Sequence, residues 1–197
     1  LPLHRALLKL ASFELIEFLI ETYGESVHAA DDNGLKPLHY ACLYNYCMEK
    51  HFQKLRDERD NTSWGYVLKL LIGKGPEVLK EADNEGRTPL HLAASSSKTS
   101  PEALKLLLHH YPDAIGRRTK LGKLPLHFLV DSKGVTYEAV KVLTEAYPNG
   151  VGESSQRKNP LHFACGESRA SFAIISSRLD HRRHRRNVKR LGFRLGN

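Results

Sequence analysis

Eleven histidines and three cysteines are the side chains with most scope for metal or nucleophilic chemistry in this chain. Cys42, Cys47 and His51 lie four or five residues apart on a predicted helix. They supply three candidate ligands with no evident fourth, so they read as two packed thiols and a surface histidine rather than a zinc site. His109 and His110 stand together at a predicted helix end, where positive charge is favourable. His127, Asp131 and Ser132 are the residue types of a hydrolytic triad, but their spacing is ordinary helix-end sequence and brings them to no common cleft. The chain has no glycine-rich phosphate-binding loop and no nucleophile-elbow sequence. The expectation is no catalytic residue, no metal and no cofactor.

Five of the histidines have a different explanation. His4, His39, His91, His127 and His162 recur after 35, 52, 36 and 35 residues, each inside a version of one phrase. Its cleanest copy is Thr88-Pro89-Leu90-His91-Leu92-Ala93-Ala94. The others are Leu1-Pro2-Leu3-His4, Pro37-Leu38-His39-Tyr40-Ala41-Cys42, Pro125-Leu126-His127-Phe128-Leu129-Val130 and Pro160-Leu161-His162-Phe163-Ala164-Cys165. A fixed period of this size marks a stacked repeat array. The phrase resembles the ankyrin repeat over residues 1–176. That resemblance implies an all-α solenoid of helix–loop–helix units joined by β-turn fingers. It also implies that the five histidines are structural, hydrogen-bonding within and between units. The expected units are about 1–31, 32–82, 83–118, 119–154 and a degenerate 155–176. Residues 177–197 are expected to form a basic, disordered tail. The first phrase begins inside a repeat, which suggests a fragment or further repeats upstream.

The elements that hold these phrases can be read in order. Phe13–Thr22 is a second helix, with Leu15, Ile16, Phe18 and Leu19 at helical spacing and Gly24 as its C-cap. Asp31-Asp32-Asn33-Gly34 is a finger, Asn-Gly supplying the left-handed turn residues. Proline then opens each first helix, where no N–H is required. The long 52-residue interval places an insertion near 47–63. There Tyr44, Met48, Phe52 and Leu55 repeat at helical spacing, which predicts a first helix lengthened to about Asp60-Asn61. Thr62-Ser63 caps the next helix, about Trp64 to Ile72. Gly75-Pro76, Tyr111-Pro112 and Tyr147-Pro148 stop the second helices, and Val27, Leu79, Ile115 and Val151 follow as anchors under the fingers. Pro101-Glu102 begins one second helix and Thr136 caps another. Only Thr88 keeps the phrase's threonine; Lys36, Leu124 and Asn159 replace it, which puts the family's finger-to-helix bond in question at those units.

Charge is unevenly placed. Net charge is +8, and seven of those charges come from Arg182, Arg183, Arg185, Arg186, Lys189, Arg190 and Arg194, with no acid among residues 181–197. The array itself is nearly neutral. Cys42 and Cys165 share one repeat position, occupied by Ala94 and Val130 elsewhere, and read as small buried residues in a reducing, intracellular setting, cytoplasm or nucleus. No run approaches the ~18 apolar residues of a membrane span.

The resemblance also implies where a partner binds, since the fingers and first helices of such arrays form a concave face. Its adaptable finger positions fall on Asp32, Asn33 and Leu35, then Asn84, Glu85 and Arg87, then Lys120, Leu121 and Lys123, then Ser155, Gln156 and Lys158. On the first helices they fall on Leu43, Tyr44, Ser95, Ser96, Asp131 and Ser132. The third complete finger carries Arg117, Arg118, Lys120 and Lys123 and no acid, so an acidic segment of a partner protein is the expected ligand. The alternative is delivery to nucleic acid or the nucleus by the tail, through residues 182–194. A third reading is the regulatory end of a larger enzyme. A monomer is expected.

Overall fold

The computed structural model describes residues 1–9, 11–44, 64–96, 99–133, 135–155 and Pro160. Its elements alternate between a short first helix, a second helix and a 3-10 turn. They are α1 (Pro2–Leu8), α2 (Phe13–Thr22), a turn Gly24–Val27, α3 (Pro37–Leu43), α4 (Trp64–Lys74), a turn Pro76–Lys80, α5 (Pro89–Ser95), α6 (Pro101–His110), a turn Pro112–Gly116, α7 (Pro125–Asp131), α8 (Tyr137–Ala146) and a turn Pro148–Val151. The described fold is an all-α repeat solenoid.

Two layers result. The first helices α1, α3, α5 and α7 pack in sequence, and so do the second helices α2, α4, α6 and α8. Each unit's own pair also packs together. The interior is a continuous aliphatic row that includes Leu3, Leu7, Ile16, Ile20, Leu38, Leu68, Leu71, Leu90, Leu104, Leu107, Leu126 and Leu143. No unit closes a core alone, which is why the stack is needed.

Local signals fix the ends of the helices. Ser100 Oγ accepts from Ala103 N (3.2 Å) and Thr136 Oγ1 from Ala139 N (3.2 Å), satisfying N–H groups that no helical carbonyl reaches. After α4, α6 and α8 the 3-10 turn begins at a proline. Gly24 departs from its expected role. It is not a left-handed C-cap, since Gly34, Gly86 and Gly122 are the positive-φ glycines. Instead it opens the first 3-10 turn, in the place that Pro76, Pro112 and Pro148 hold in later units. Val27, Leu79 and Val151 are buried as expected under the fingers, with Ile115 half-buried. The insertion near 47–63, with Cys47 and His51, lies outside the described residues, as do His162, Cys165, Gln156, Lys158 and the basic tail.

Candidate partner-binding face

Three fingers are built alike. In each, a glycine amide donates back three residues: Gly34 to Asp31 (2.9 Å), Gly86 to Asp83 (2.9 Å) and Gly122 to Thr119 (2.8 Å). The same first residue donates across the turn, Asp31 to Leu35 (3.0 Å), Asp83 to Arg87 (2.9 Å) and Thr119 to Lys123 (3.0 Å). The glycine takes φ of 77°, 80° and 73°, a left-handed conformation at the fourth position of the turn. A side chain reinforces each turn. Asp31 Oδ1 accepts from Asn33 N (2.9 Å) and Leu35 N (2.8 Å), Asp83 Oδ1 from Glu85 N (2.9 Å) and Arg87 N (2.8 Å), and Thr119 Oγ1 from Lys123 N (3.2 Å).

The fingers are also tied to one another. Asn84 N donates to Asn33 O (3.0 Å) and Lys120 N to Glu85 O (3.0 Å). Asn84 Nδ2 donates to Asp32 O (3.0 Å), and Ser155 Oγ to Leu121 O (2.8 Å). The fingertips are therefore one hydrogen-bonded row, and the side chains they carry have fixed spacing.

The repeat histidines clamp this row to the first helices. The Nδ1 atoms of His39, His91 and His127 accept from the amides of Lys36 (3.1 Å), Thr88 (3.2 Å) and Leu124 (3.1 Å). The bond thus survives at Lys36 and Leu124, because its donor is backbone; only the added Thr88 hydroxyl contact to His91 (2.9 Å) needs threonine. With Nδ1 accepting, Nε2 carries the proton. His4 Nε2 donates to Leu35 O (2.9 Å) and His91 Nε2 to Lys123 O (3.2 Å), each reaching the next finger. Burial pushes His39 and His91 down to about 4, so both are neutral at physiological pH, and His91 accepts at one ring nitrogen and donates at the other. His127 and Ser132 are likewise committed to structure, Ser132 Oγ donating to Leu129 O (2.8 Å). Cys42 is fully buried, and burial raises its thiol pKa. Among the described residues no group of three histidine, cysteine or carboxylate side chains is arranged to hold a metal ion.

The adaptable positions divide by exposure. Asp32, Asn33, Asn84, Glu85, Lys120, Leu121 and Asp131 are exposed. Leu35, Leu43, Tyr44, Arg87, Ser95 and Lys123 are half-buried. Ser96, Ser132 and Ser155 are buried, which removes them from the accessible face. Ser96 and Ser132 end the first helices α5 and α7 and turn inward there.

Ion pairs within and between units change the charge reading. Arg118 pairs with Glu153 and Lys36 with Glu81. Arg87 pairs with Asp83 (2.6 Å) and Glu85 (3.1 Å). Lys123 lies 3.9 Å from Asp131 and 5.6 Å from the centre of the Phe128 ring. Arg117 and Lys120 remain exposed on the third finger, beside Leu121, whose side chain is 59% exposed. Glu153 follows Arg118 by 35 residues, one repeat period, a signal that would have flagged the pair. Glu81 is separated from Lys36 by the insertion, and no regular spacing marks it. At the other end, the Tyr40 hydroxyl donates to Asp31 Oδ2 (2.8 Å), and Tyr44 stacks on Tyr40 at 6.2 Å. Burial pushes the Asp31 carboxyl up, but bonds from Tyr40, Leu35 and Asn33 outweigh it and hold it below the usual range. Burial and the Asp31 contact push Tyr40 up to about 12, so it stays a donor.

A stack of helix pairs with a rigid row of turns along one edge defines a repeat solenoid that presents side chains from successive units to a common ligand. A family model described as ankyrin repeats, in three copies, matches residues 3–118 and 61–151, more than half of the chain. The chain belongs to the ankyrin-repeat family, whose members are generally protein–protein interaction modules. No curated protein matches it. No helix among the described residues is long and apolar enough to cross a membrane.

Proposed function

We propose that this array is a non-catalytic scaffold that binds a partner protein across its fingers and first helices, with an acidic segment of the partner lying over the third finger. The observation that carries the reading is the exposed group Arg117, Lys120 and Leu121, two cations and an apolar side chain at and just before the third finger turn. Apolar contact at Leu121 supplies desolvated area, while the cations set register and association rate. Tyr44, half-buried against Tyr40, offers an aromatic contact at the other end of the row. The reading assigns no chemical step and no cofactor. The test recovers partners from source lysate with the full chain and with Arg117→Glu/Lys120→Glu at equal thermal midpoint. Loss of a recovered protein with the variant is the expected result; equal recovery refutes the reading.

A second reading rests on the seven basic residues of 181–197. If the tail contacts nucleic-acid phosphates, affinity should fall steeply with salt, and deleting 181–197 should abolish that dependence. A salt-insensitive interaction kept after the deletion excludes it.

A further inference from the structure

The charges of the finger row do not cancel evenly once their partners are counted. On the first finger Asp31 accepts from the Tyr40 hydroxyl and from the amides of Asn33 and Leu35, none of which offsets its charge. Asp32 beside it is exposed and enters no ion pair among the described residues. The nearby cation, Lys36, is taken by Glu81. On the second finger Arg87 alone faces two carboxylates, Asp83 (2.6 Å) and Glu85 (3.1 Å), so one negative charge is left over. The Glu85 side chain is 67% exposed. On the third, Glu153 offsets Arg118 and Asp131 offsets Lys123, which leaves Arg117 and Lys120, both exposed. The row therefore changes sign along its length, from uncompensated carboxylates on the first two fingers to uncompensated cations on the third.

Backbone fixes the spacing of these charges. The bonds Asn84 N to Asn33 O and Lys120 N to Glu85 O, each 3.0 Å, join the three fingers. Packed helices stand ~10 Å apart, so two unit steps separate the first and third fingers by roughly 20 Å. An extended chain covers that distance in about six residues. Apolar contacts lie at both ends of the span. Leu35 is half-buried on the first finger, and Tyr44 stacks on Tyr40, whose hydroxyl reaches Asp31. Leu121 is exposed on the third finger.

We infer that the partner segment is bipolar: an extended stretch with basic residues over Asp32 and Glu85, acidic residues over Arg117 and Lys120, and an apolar side chain near each end. The inference rests on the proposed acidic contact at the third finger and adds what the rest of the segment is. A segment acidic throughout meets the carboxylates of the first two fingers, and one basic throughout meets Arg117 and Lys120; like charges brought together oppose binding. The sign change also sets orientation, because turning the segment end for end juxtaposes like charges at both ends.

The test titrates two synthetic peptides into the isotopically labelled full chain at low salt. One is Lys-Lys-Leu-Gly-Ser-Gly-Leu-Glu-Glu; the other carries Glu-Glu at both ends. Binding is read by NMR at the amides of Asn33 and Lys120, so that contact with the basic residues 181–197 is not counted. The bipolar peptide should bind about fivefold or more tightly than the acidic one. Asp32→Lys/Glu85→Lys should reverse that order. Both side chains are exposed, and the bonds between fingers use only the carbonyls of these residues, so the row keeps its shape. Equal affinity of the two peptides, or an order that the double substitution leaves unchanged, overturns the inference while the acidic contact at the third finger stands. If neither peptide moves the Lys120 amide, the proposed function fails with it.

Discussion

Replacing Gly86 with alanine should destabilise the array by about 2–3 kcal/mol, more than the same change at Gly122. Both glycines are left-handed, at φ 80° and 73°, so alanine carries the ~1–2 kcal/mol conformational cost at either site. The sites differ in what the new methyl group meets. At Gly86 a Cβ would lie 2.9 Å from Lys120 N, 3.2 Å from Thr119 Cα and 3.3 Å from Thr119 C, all backbone of the next finger. Those atoms must retreat, and the Lys120 N–Glu85 O bond of 3.0 Å breaks, worth about 1 kcal/mol more. At Gly122 the nearest atom is Ser155 Oγ at 3.7 Å, ordinary contact. With a urea slope near ~2 kcal/mol/M, the two variants should separate by roughly 0.5 M in midpoint, Gly86→Ala unfolding first. Equal midpoints would mean that the bond between fingers contributes nothing to stability, and the picture of a rigid row would fail.

Other perturbations test other links. Gly24→Pro should stabilise by about 0.4–1 kcal/mol in thermal or urea unfolding, because proline limits the unfolded chain and later units hold proline there. Tyr23, at φ −125° and ψ 61°, already resembles the residues preceding those prolines. Ser100→Ala and Thr136→Ala should each cost about 1 kcal/mol; Ser12→Ala, with an exposed contact of 3.4 Å, should cost less. Because folded His39 and His91 titrate near 4 and the unfolded residues near 6.5, the unfolded state takes up protons first as pH falls. Stability should therefore be full above pH 6.5, decline toward pH 4 and level off below, and NMR should find both imidazoles neutral at pH 5.5. The double reversal Arg117→Glu/Lys120→Glu should leave the unfolding free energy within about 0.5 kcal/mol while weakening partner recovery.

Much of the fold was written in local chemistry. The Pro-Leu-His phrase marks first helices because proline suits a helix start, and the finger glycines mark the positions that need positive φ. Ser100 and Thr136 do what N-cap residues do irrespective of the rest of the chain. Gly24 was misread because a glycine after a helix has two uses, and the register of the neighbouring prolines distinguishes them. The clamp at His39 and His127 was doubted for lack of threonine, yet its donor is an amide that every residue but proline supplies. The binding face was legible as a set of positions but not as a charge pattern. Arg118 and Lys123 look like surface cations in a row until the neighbouring acids Glu153 and Asp131 are brought beside them, and Ser96 and Ser132 turn inward only once their helices stop.

The bonds between fingers also bear on how such a chain can change in length. The interval from His39 to His91 is 16 residues longer than that from His91 to His127, yet Asn84 N still meets Asn33 O at 3.0 Å, the same distance that separates Lys120 N from Glu85 O. The additional residues fall in the sequence between the end of α3 and the start of α4, and not in a finger. One edge of the array is thus intolerant of insertions, since a residue gained there would shift every later contact along the row. The opposite edge can gain segments one unit at a time, so evolution can add new surface to this scaffold without resetting the spacing of the old.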